Sequence, residues 1–380
     1  MDLLYAPSSS NAVEISEQLH TTLQHLKTVA ECGRTSFAIQ RVLFVSAGAG
    51  LAIATSLKRY TEEIGLRNLQ CEAYASARFL NLMRANPWMV NDPNTLVTLS
   101  SKSGKTPETV AVAAFLKGKA CKTVIFTESE AVELATFGHP GFFTGKTTQA
   151  FHATYMLMAS FLGGVLEARE NWKLLPALLS SLDALPDRGV NKSSALFNAA
   201  EKGGPAGEAF AAGFAEDDPL YFIASGPAGI VSHAFGLCVL QERFGLDIHI
   251  VDSANFFHSF VETLRPGTRG HYILIIPDPE DASRGEMLDV KTFFDAQLFK
   301  VQVIDAKGLD MSGIDSQIRR MVGPIISEAF LKPWTPALAK ATGRTMHDPL
   351  LHMTKFDYYN CHHKLLKSAD HLPLQHKTRI

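Results

Sequence analysis

The most informative local pattern in this chain is Thr98-Leu-Ser-Ser-Lys-Ser-Gly-Lys-Thr-Pro-Glu-Thr109. The apolar residues 96–99 predict a buried strand, and Pro107 suits the first turn of a helix in which residues 110–116 offer an apolar face. A helix N-terminus presents unpaired backbone N–H groups and the positive end of a dipole, and hydroxyl side chains add donors. The pattern therefore predicts a phosphate-type anion site, although a serine-rich turn that merely caps a helix has similar residues. The spacing of a P-loop is absent.

Length and composition define the class of protein to which this pattern belongs. The 380 residues are 46% hydrophobic and 19% charged, with a formal net charge of -2. That length predicts two domains of about 150 residues each plus extensions. The sequence contains no dense Lys/Arg run, which argues against a nucleic-acid surface.

The chain also carries no sign of export, membrane insertion or metal binding. No apolar run approaches the roughly 20 residues of a membrane span, and the N-terminus lacks the basic region of a signal peptide. The five cysteines are scattered and show no metal-ligand spacing. We therefore expect a cytoplasmic protein with reduced thiols.

Two motifs occur twice at matched spacing. Val42-Leu-Phe-Val-Ser-Ala-Gly-Ala-Gly50 is mirrored by Leu220-Tyr-Phe-Ile-Ala-Ser-Gly-Pro-Ala-Gly229, and Ser76-Ala-Arg-Phe79 by Ser253-Ala-Asn-Phe256. A strand that runs through a glycine turn into a helix is typical of a doubly wound parallel sheet. The repetition indicates an internal duplication of such an α/β domain.

The predicted organisation has five parts. Residues 1–38 form an N-terminal helical extension, 39–165 the first α/β domain, 166–216 a helical connection, 217–325 the second domain, and 326–380 a C-terminal helical segment and tail. Residues 360–380 are polar and begin with a segment that contains His362 and His363, which could suggest a metal, but a flexible tail is the expectation.

The duplicated half does not repeat the anion pattern. The strand predicted near residues 271–276 is followed by Asp278, Glu280 and Asp281 instead of hydroxyl side chains. Carboxylates at this position would repel a phosphate group. We expect one phosphate-type site per chain, in the first half.

The quoted stretch resembles the sugar-phosphate-binding loop of the sugar isomerase (SIS) domain family. This resemblance implies two tandem flavodoxin-like domains, parallel sheets flanked by helices, and a phosphosugar ligand. It also implies that Ser101, Ser103 and Thr106 hold the phosphate group, with Lys102 alongside.

The acid-base candidates lie in the second half. From the residues alone, Glu242 could be a base whose pKa is raised by apolar neighbours, or a solvated helix residue. His258 could be an acid or base near neutral pH, or a structural histidine. Aldose–ketose chemistry needs one group to move a carbon-bound proton and another to open the sugar ring.

The spacing of these two residues extends the resemblance. The SIS deglycases of 6-phosphorylated fructoselysine, glucoselysine and fructose-asparagine carry a Glu and a His sixteen residues apart, as do Glu242 and His258. The isomerase half of glucosamine-6-phosphate synthase is similar, more distantly. The resemblance implies Glu242 as base, His258 as acid, and a homodimer whose active sites share the histidine across the interface.

These implications predict a phosphosugar deglycase that releases a hexose 6-phosphate and an amino acid without metal or organic cofactor. We expect Gly48 and Gly50 to allow close approach, and Lys146 and Thr147 to touch the sugar. The alternatives are a sugar-phosphate isomerase, an amino-sugar-phosphate deaminase, or a non-catalytic phosphosugar-binding regulator. The sequence departs from the family in both Ser-Gly-Glu-Phe motifs, where Ala-Arg78 and Ala-Asn255 replace Gly-Glu, after His258, where Ser-Phe replaces Gly-Pro, and at Gly50, which replaces a serine. It does not identify the amine.

Overall fold

Two separate parallel β-sheets form the frame of the chain, as the α/β prediction requires. The computed structural model describes residues 12–186, 194–215, 217–265, 267, 269–345, 348, 350 and 351. The predicted tail of residues 360–380 lies outside them. Within these ranges, no helix combines the length and apolar character needed to cross a membrane.

The first sheet has five parallel strands in the order β2-β1-β3-β4-β5. Its central strands read as continuous apolar runs because helices cover both faces. The register pairs Ser46 with Ser100, so the last residues of β1 and β3 lie side by side at the carboxyl edge. The strands are β1 Arg41–Ser46, β2 Gln70–Ala75, β3 Thr95–Ser100, β4 Lys122–Thr127 and β5 Gly141–Phe143.

The fifth strand differs from expectation. The residues before Lys146 and Thr147 do not form only a loop, because Phe142 and Phe143 continue the sheet beside Phe126 and Thr127 of β4. The ring of Phe142 stacks on Phe126 with centroids 5.9 Å apart. This aromatic contact explains how so short a segment holds its place at the sheet edge.

The second sheet repeats the first with one strand fewer. Its parallel order is β7-β6-β8-β9. Gly48 and Gly226 follow the first strand of each sheet and adopt positive φ angles of 54° and 58°. Ser76 and Ser253 each begin the next short helix, which confirms the duplication. The strands are β6 Leu220–Ala224, β7 Ile248–Val251, β8 His271–Ile276 and β9 Val301–Asp305.

Helices cover both sheets and connect them. One long helix over residues 229–244, which we call the 229–244 helix, consists of α8, a π-helical segment Ser232–Gln241 and α9. The other helices of the first half are α1 Ala12–Arg34, α2 Gly48–Ile64, α3 Ser76–Ala85, α4 Pro107–Leu116, α5 Ala150–Glu170 and α6 Leu175–Ala184. Those that follow are α7 Ala195–Ala212, α8 Gly229–Val231, α9 Glu242–Phe244, α10 Ser253–Phe256, α11 Arg284–Ala296, α12 Arg319–Leu331 and α13 Trp334–Thr342.

One continuous hydrophobic core joins the two halves. It includes Phe44 of the first sheet, Phe222 of the second, and Tyr155 of α5, all fully buried. Smaller clusters cover the outer face of each sheet, with Phe79 in one and Phe294 in the other. The two sheets are therefore packed together through the elements between them, and α5 and α12 run across the predicted boundaries at 165 and 325.

Candidate functional site

The predicted anion loop lies between β3 and α4. Ser101 Oγ and Thr106 Oγ1 are 2.9 Å apart, so the two hydroxyls at the ends of the loop converge. Ser103 Oγ accepts a bond of 3.3 Å from the backbone N–H of Lys105. Thr106 stands at the start of α4 but makes no side-chain cap, so it does not occupy the first-turn N–H groups. The loop, which we call the phosphate loop (residues 101–106), thus presents hydroxyls and a helix N-terminus together.

Lys102 belongs to this loop and is half-buried. Its carbonyl oxygen accepts bonds from Thr127 Oγ1 at 3.2 Å and from the N–H of Glu128 at 3.1 Å, which fixes the loop to the end of β4. Burial lowers the pKa of the Lys102 ammonium; the charge of Glu128 opposes this effect and that of Arg243 adds to it. An incoming anion would favour the charged lysine.

Gly50 lies against a pair of serine hydroxyls under the loop. Ser46 Oγ donates to the carbonyl of Ser100 at 2.6 Å and accepts from Ser100 Oγ at 2.8 Å. A Cβ atom at residue 50 would be 2.1 Å from Ser46 Oγ. The space that a family serine would need at residue 50 is therefore taken by Ser46.

Gly50→Ala is expected to destabilise the chain by roughly 1–3 kcal/mol, because the added methyl group overpacks this contact. Ser46→Ala removes the closest atom, so the double variant should lose less stability than the two single variants together. Urea unfolding of the four proteins measures this coupling. Strictly additive losses would contradict the assigned contact.

The loop that contains Lys146 and Thr147 lies beside the phosphate loop. Glu128 links them, since its N–H donates to the Lys102 carbonyl and its own carbonyl accepts from Gly145, each at 3.1 Å. The side chain of Lys146 is exposed. Thr147 is buried, and its hydroxyl accepts from the N–H of Gln149 at 3.0 Å. The side chain of Lys146 is therefore accessible beside the phosphate loop, whereas the Thr147 hydroxyl is bonded within its own loop.

Helix α2 and the 229–244 helix pack side by side in opposite directions. Cys238 of the second helix places Sγ 3.9 Å from where a Cβ atom of Gly48 would lie, at the start of α2. At the other end of α2, Arg59 Nη1 donates to the carbonyl of Gly226 at 3.0 Å and Ser56 Oγ to that of Pro227. Each helix therefore ends near the glycine turn that starts the other.

This pairing carries Glu242 toward the first half of the chain. Glu242 lies one turn beyond Cys238, and its charge adds to burial in raising the pKa of that thiol to about 12. The next residue, Arg243, lies close enough to Lys102 for the two charges to interact. Glu242 is exposed, however, and the half-buried position that its apolar neighbours suggested is not found. The structure brings Glu242 to the phosphate-loop side of the molecule as a solvent-accessible carboxylate.

His258 lies at the other end of the second sheet from Glu242. The carbonyl of Asp247, just after α9, accepts from Leu220 at the amino end of β6, so Glu242 lies near the amino edge of the second sheet. His258 follows the carboxyl end of β7 and is exposed beside Phe257, which is 47% exposed. Within one chain, Glu242 and His258 lie at opposite ends of β7.

Arg78 and Asn255, the two departures from the family motif, are both exposed. The first serines of those motifs, Ser76 and Ser253, are buried and hydrogen-bond to neighbouring helices. Ser76 Oγ is 2.9 Å from Thr109 Oγ1 in α4. Ser253 Oγ donates to Glu286 at 2.6 Å. The motif therefore ties a short helix to its neighbour in each half.

In the second half, the position that corresponds to the phosphate loop is filled from within the chain. The guanidinium of Arg59 binds Gly226 and reaches Asp252 Oδ2 at 3.4 Å. Asp278 and Asp281, which follow β8, are buried with 5% and 6% of their surface exposed. A positive side chain and buried carboxylates thus lie at this end of the second sheet, and one phosphate-type site per chain stays a prediction.

Glu63 of α2 lies close enough to Asp281 for their charges to interact. Burial and the charge of Asp281 raise the pKa of Glu63 from 4.5 to about 7, while Arg320 opposes the shift. Burial likewise raises the pKa of Asp281. Protonation of this pair of carboxyl groups is therefore favoured at a higher pH than for ordinary carboxyl groups.

The pH dependence of stability should report this pair. Because the folded pKa of Glu63 is raised, the folded chain binds more protons than the unfolded chain between pH 4.5 and about 7, and its stability falls as pH rises through that window. Glu63→Gln mimics the protonated acid. We expect its Tm above pH 7 to exceed that of the wild type by about 1–3 °C and the difference to vanish near pH 4.5. A constant difference at every pH would argue against a titrating Glu63.

Sequence reasoning missed Glu63, Arg59 and Cys238, although one signal was available. Once the two glycine turns are aligned, Glu63 lies fifteen residues after Gly48, and Glu242 sixteen after Gly226. The duplication therefore places the two acidic groups one position out of register, near the end of each helix. Their antiparallel pairing could not be derived from the local pattern.

Individual relatives, and not a family model, identify the family of this chain. No family model matches the chain. Agropine synthesis conjugase of Rhizobium rhizogenes is 69% identical over 367 residues, which cover 95% of this chain and 99% of that protein. Fructosamine deglycase FrlB of Bacillus subtilis (strain 168) is 25% identical over 356 residues, covering 92% and 100% of the two chains.

A solved structure supports the fold. The C-terminal domain of glucosamine-fructose-6-phosphate aminotransferase from Francisella tularensis superposes with a TM-score of 0.70 at 14% identity, covering 90% of this chain and 99% of that one. At this identity the likeness concerns architecture alone. Given the relative at 69% identity and this shared fold, the chain belongs to the sugar isomerase (SIS) domain family, in the group that contains agropine synthesis conjugase.

Proposed function

We propose that this chain is a phosphosugar deglycase-type enzyme, which breaks or makes the bond between a 6-phosphorylated hexose and the amino group of an amino acid. One observation carries the proposal. The 229–244 helix packs against the Gly48 turn through Cys238 and carries Glu242, a solvent-accessible carboxylate, on the side of the molecule where Ser101, Lys102 and Thr106 lie in one loop. A phosphate anchor and a proton-transfer group are the two parts that this chemistry needs.

In the cleavage direction, the phosphate loop holds the 6-phosphate and Lys146 faces the sugar. Glu242 takes a proton from C1 of the ketosamine, which gives an enaminol, and a proton returned to C2 gives the imine. Water adds to the imine carbon and the amine leaves, so the products are a hexose 6-phosphate and a free amino acid. His258 opens the sugar ring and protonates the departing portion.

His258 reaches the substrate from a second copy of the chain in this proposal. Glu242 and His258 of one chain lie at opposite ends of β7, a strand of four residues and about 13 Å. Phe257, the neighbour of His258 in the chain, is 47% exposed, and Ile250 of β7 is 41% exposed. A symmetric homodimer would cover them and give two shared sites.

The reverse direction is a second candidate, favoured by the relative at 69% identity, whose name is that of a conjugase. Conjugation uses the same proton steps. The amine condenses with the aldehyde of the hexose 6-phosphate and loses water, and a proton then moves from C2 to C1. Which direction prevails depends on the concentrations of amine, sugar and water, because a catalyst accelerates both.

The deciding experiment measures both directions with the purified chain. A panel of 6-phosphorylated fructosyl- and glucosyl-amino acids is tested for hexose 6-phosphate release by a coupled assay. Hexose 6-phosphates are also incubated with single amino acids, and the conjugate is measured by mass spectrometry. Turnover of one substrate in the panel identifies the amino acid that the enzyme releases or conjugates. If neither assay detects product while phosphosugars still raise the Tm, the reaction is rejected in favour of an isomerase or a non-catalytic regulator.

A further inference from the structure

Arg243 is a second cation that the fold brings to the phosphate loop. It lies in the last turn of the 229–244 helix, at the end that packs over the Gly48 turn through Cys238. Its side chain is half-buried, and its charge acts on Lys102. Each half of the molecule thus contributes one half-buried cation to this side of the chain, where Cys238 packs against the Gly48 turn.

Two like charges in a partly buried place repel each other, so an anion bound between them would stabilise the pair in addition to the neighbouring carboxylates of Glu128 and Glu242. Glu128 is the carboxylate whose charge favours the ammonium of Lys102. A phosphate monoester carries close to two negative charges at neutral pH, which matches one lysine and one arginine. Arginine can bind two phosphate oxygens at once, whereas lysine acts as a point charge.

We propose that Arg243 binds the 6-phosphate of the substrate from the second half of the chain, opposite Lys102 and the loop hydroxyls. The inference rests on the proposed function, since it takes a phosphosugar as the ligand of the loop. Arg243 also follows Glu242 directly, and adjacent Cα atoms are about 3.8 Å apart. One helix turn would therefore hold the phosphate end of the sugar and present the proton-transfer group to its reacting end.

Binding of glucose 6-phosphate, measured by calorimetry, tests the assignment without requiring turnover. Arg243→Gln is expected to weaken binding about tenfold or more, and Arg243→Lys to weaken it less, because the charge stays while the bidentate geometry is lost. Arg269→Gln is the matched control. Arg269 also lies in the second half, with 81% of its side chain exposed and a loose contact of 3.7 Å to Asp218, so its loss should leave binding unchanged.

Further ligands identify which anion Arg243 binds. Glucose 6-phosphate has a phosphate but no carboxylate, whereas an unphosphorylated fructosyl-amino acid has a carboxylate but no phosphate. A folded Arg243→Gln variant that binds glucose 6-phosphate like the wild type overturns the proposal, as does one that loses only the unphosphorylated ligand. Wild-type protein that binds glucose 6-phosphate but converts no sugar-amine refutes the reaction alone, and wild-type protein that does not bind it refutes both.

Discussion

Glu242→Gln is expected to lower kcat by about 10²- to 10⁴-fold, the usual contribution of a positioned general base. Glutamine keeps the size of the side chain but cannot accept the C1 proton. Binding of glucose 6-phosphate should be retained or slightly tighter, because the variant removes a negative charge near the phosphate loop. Steady-state kinetics and calorimetry on the same preparation separate these two effects.

Glu208→Gln provides the control for the loss of one carboxylate. Glu208 is exposed on α7 and belongs to none of the elements that build the site. Its replacement should leave kcat and binding unchanged. Substantial turnover by Glu242→Gln would reject Glu242 as the base. A parallel loss of phosphosugar binding would instead indicate that Glu242 supports the loop.

The parts of the fold that the sequence predicted are those with short-range signals. Strand, glycine turn and helix are adjacent in residues 41–64, and their repetition after residue 220 identified the second half before any contact was known. The strand, loop and helix around residues 101–106 were predicted for the same reason, since the hydroxyls, Gly104 and Pro107 lie within a few residues of one another. Both patterns depend on local backbone chemistry.

The parts that could not be predicted depend on contacts between distant segments. Arg59 and Gly226 are 167 positions apart, and nothing local indicates that they touch. The exposure of Glu242 is of the same kind, because apolar neighbours on a helix do not say which way the carboxylate itself faces. Gly50 seemed to weaken the site by losing a hydroxyl, yet Ser46, four residues earlier, fills that space. Close packing, which sequence patterns do not encode, decides such cases.

The position of His258 leads to the second large prediction. Glu242→Gln and His258→Asn should each be nearly inactive, but coexpressed together they should recover about a quarter of wild-type activity. Random pairing makes half of the dimers mixed. Each mixed dimer has one site with both changes and one site with the intact Glu242 of one copy and the intact His258 of the other.

This recovery distinguishes a shared site from a site within one chain. If both residues acted on substrate held by their own chain, every site of a mixed dimer would lack one of them and coexpression would restore nothing. The separation of the two residues across β7 favours sharing, since the phosphate loop lies on the Glu242 side. Light scattering on the same samples must show dimers, because activity in a strictly monomeric preparation would require His258 and Glu242 to meet within one chain or His258 to be dispensable. A shared site would also explain why His258 is exposed beside Phe257 in the single chain, for the surface that surrounds it would be covered only in the dimer.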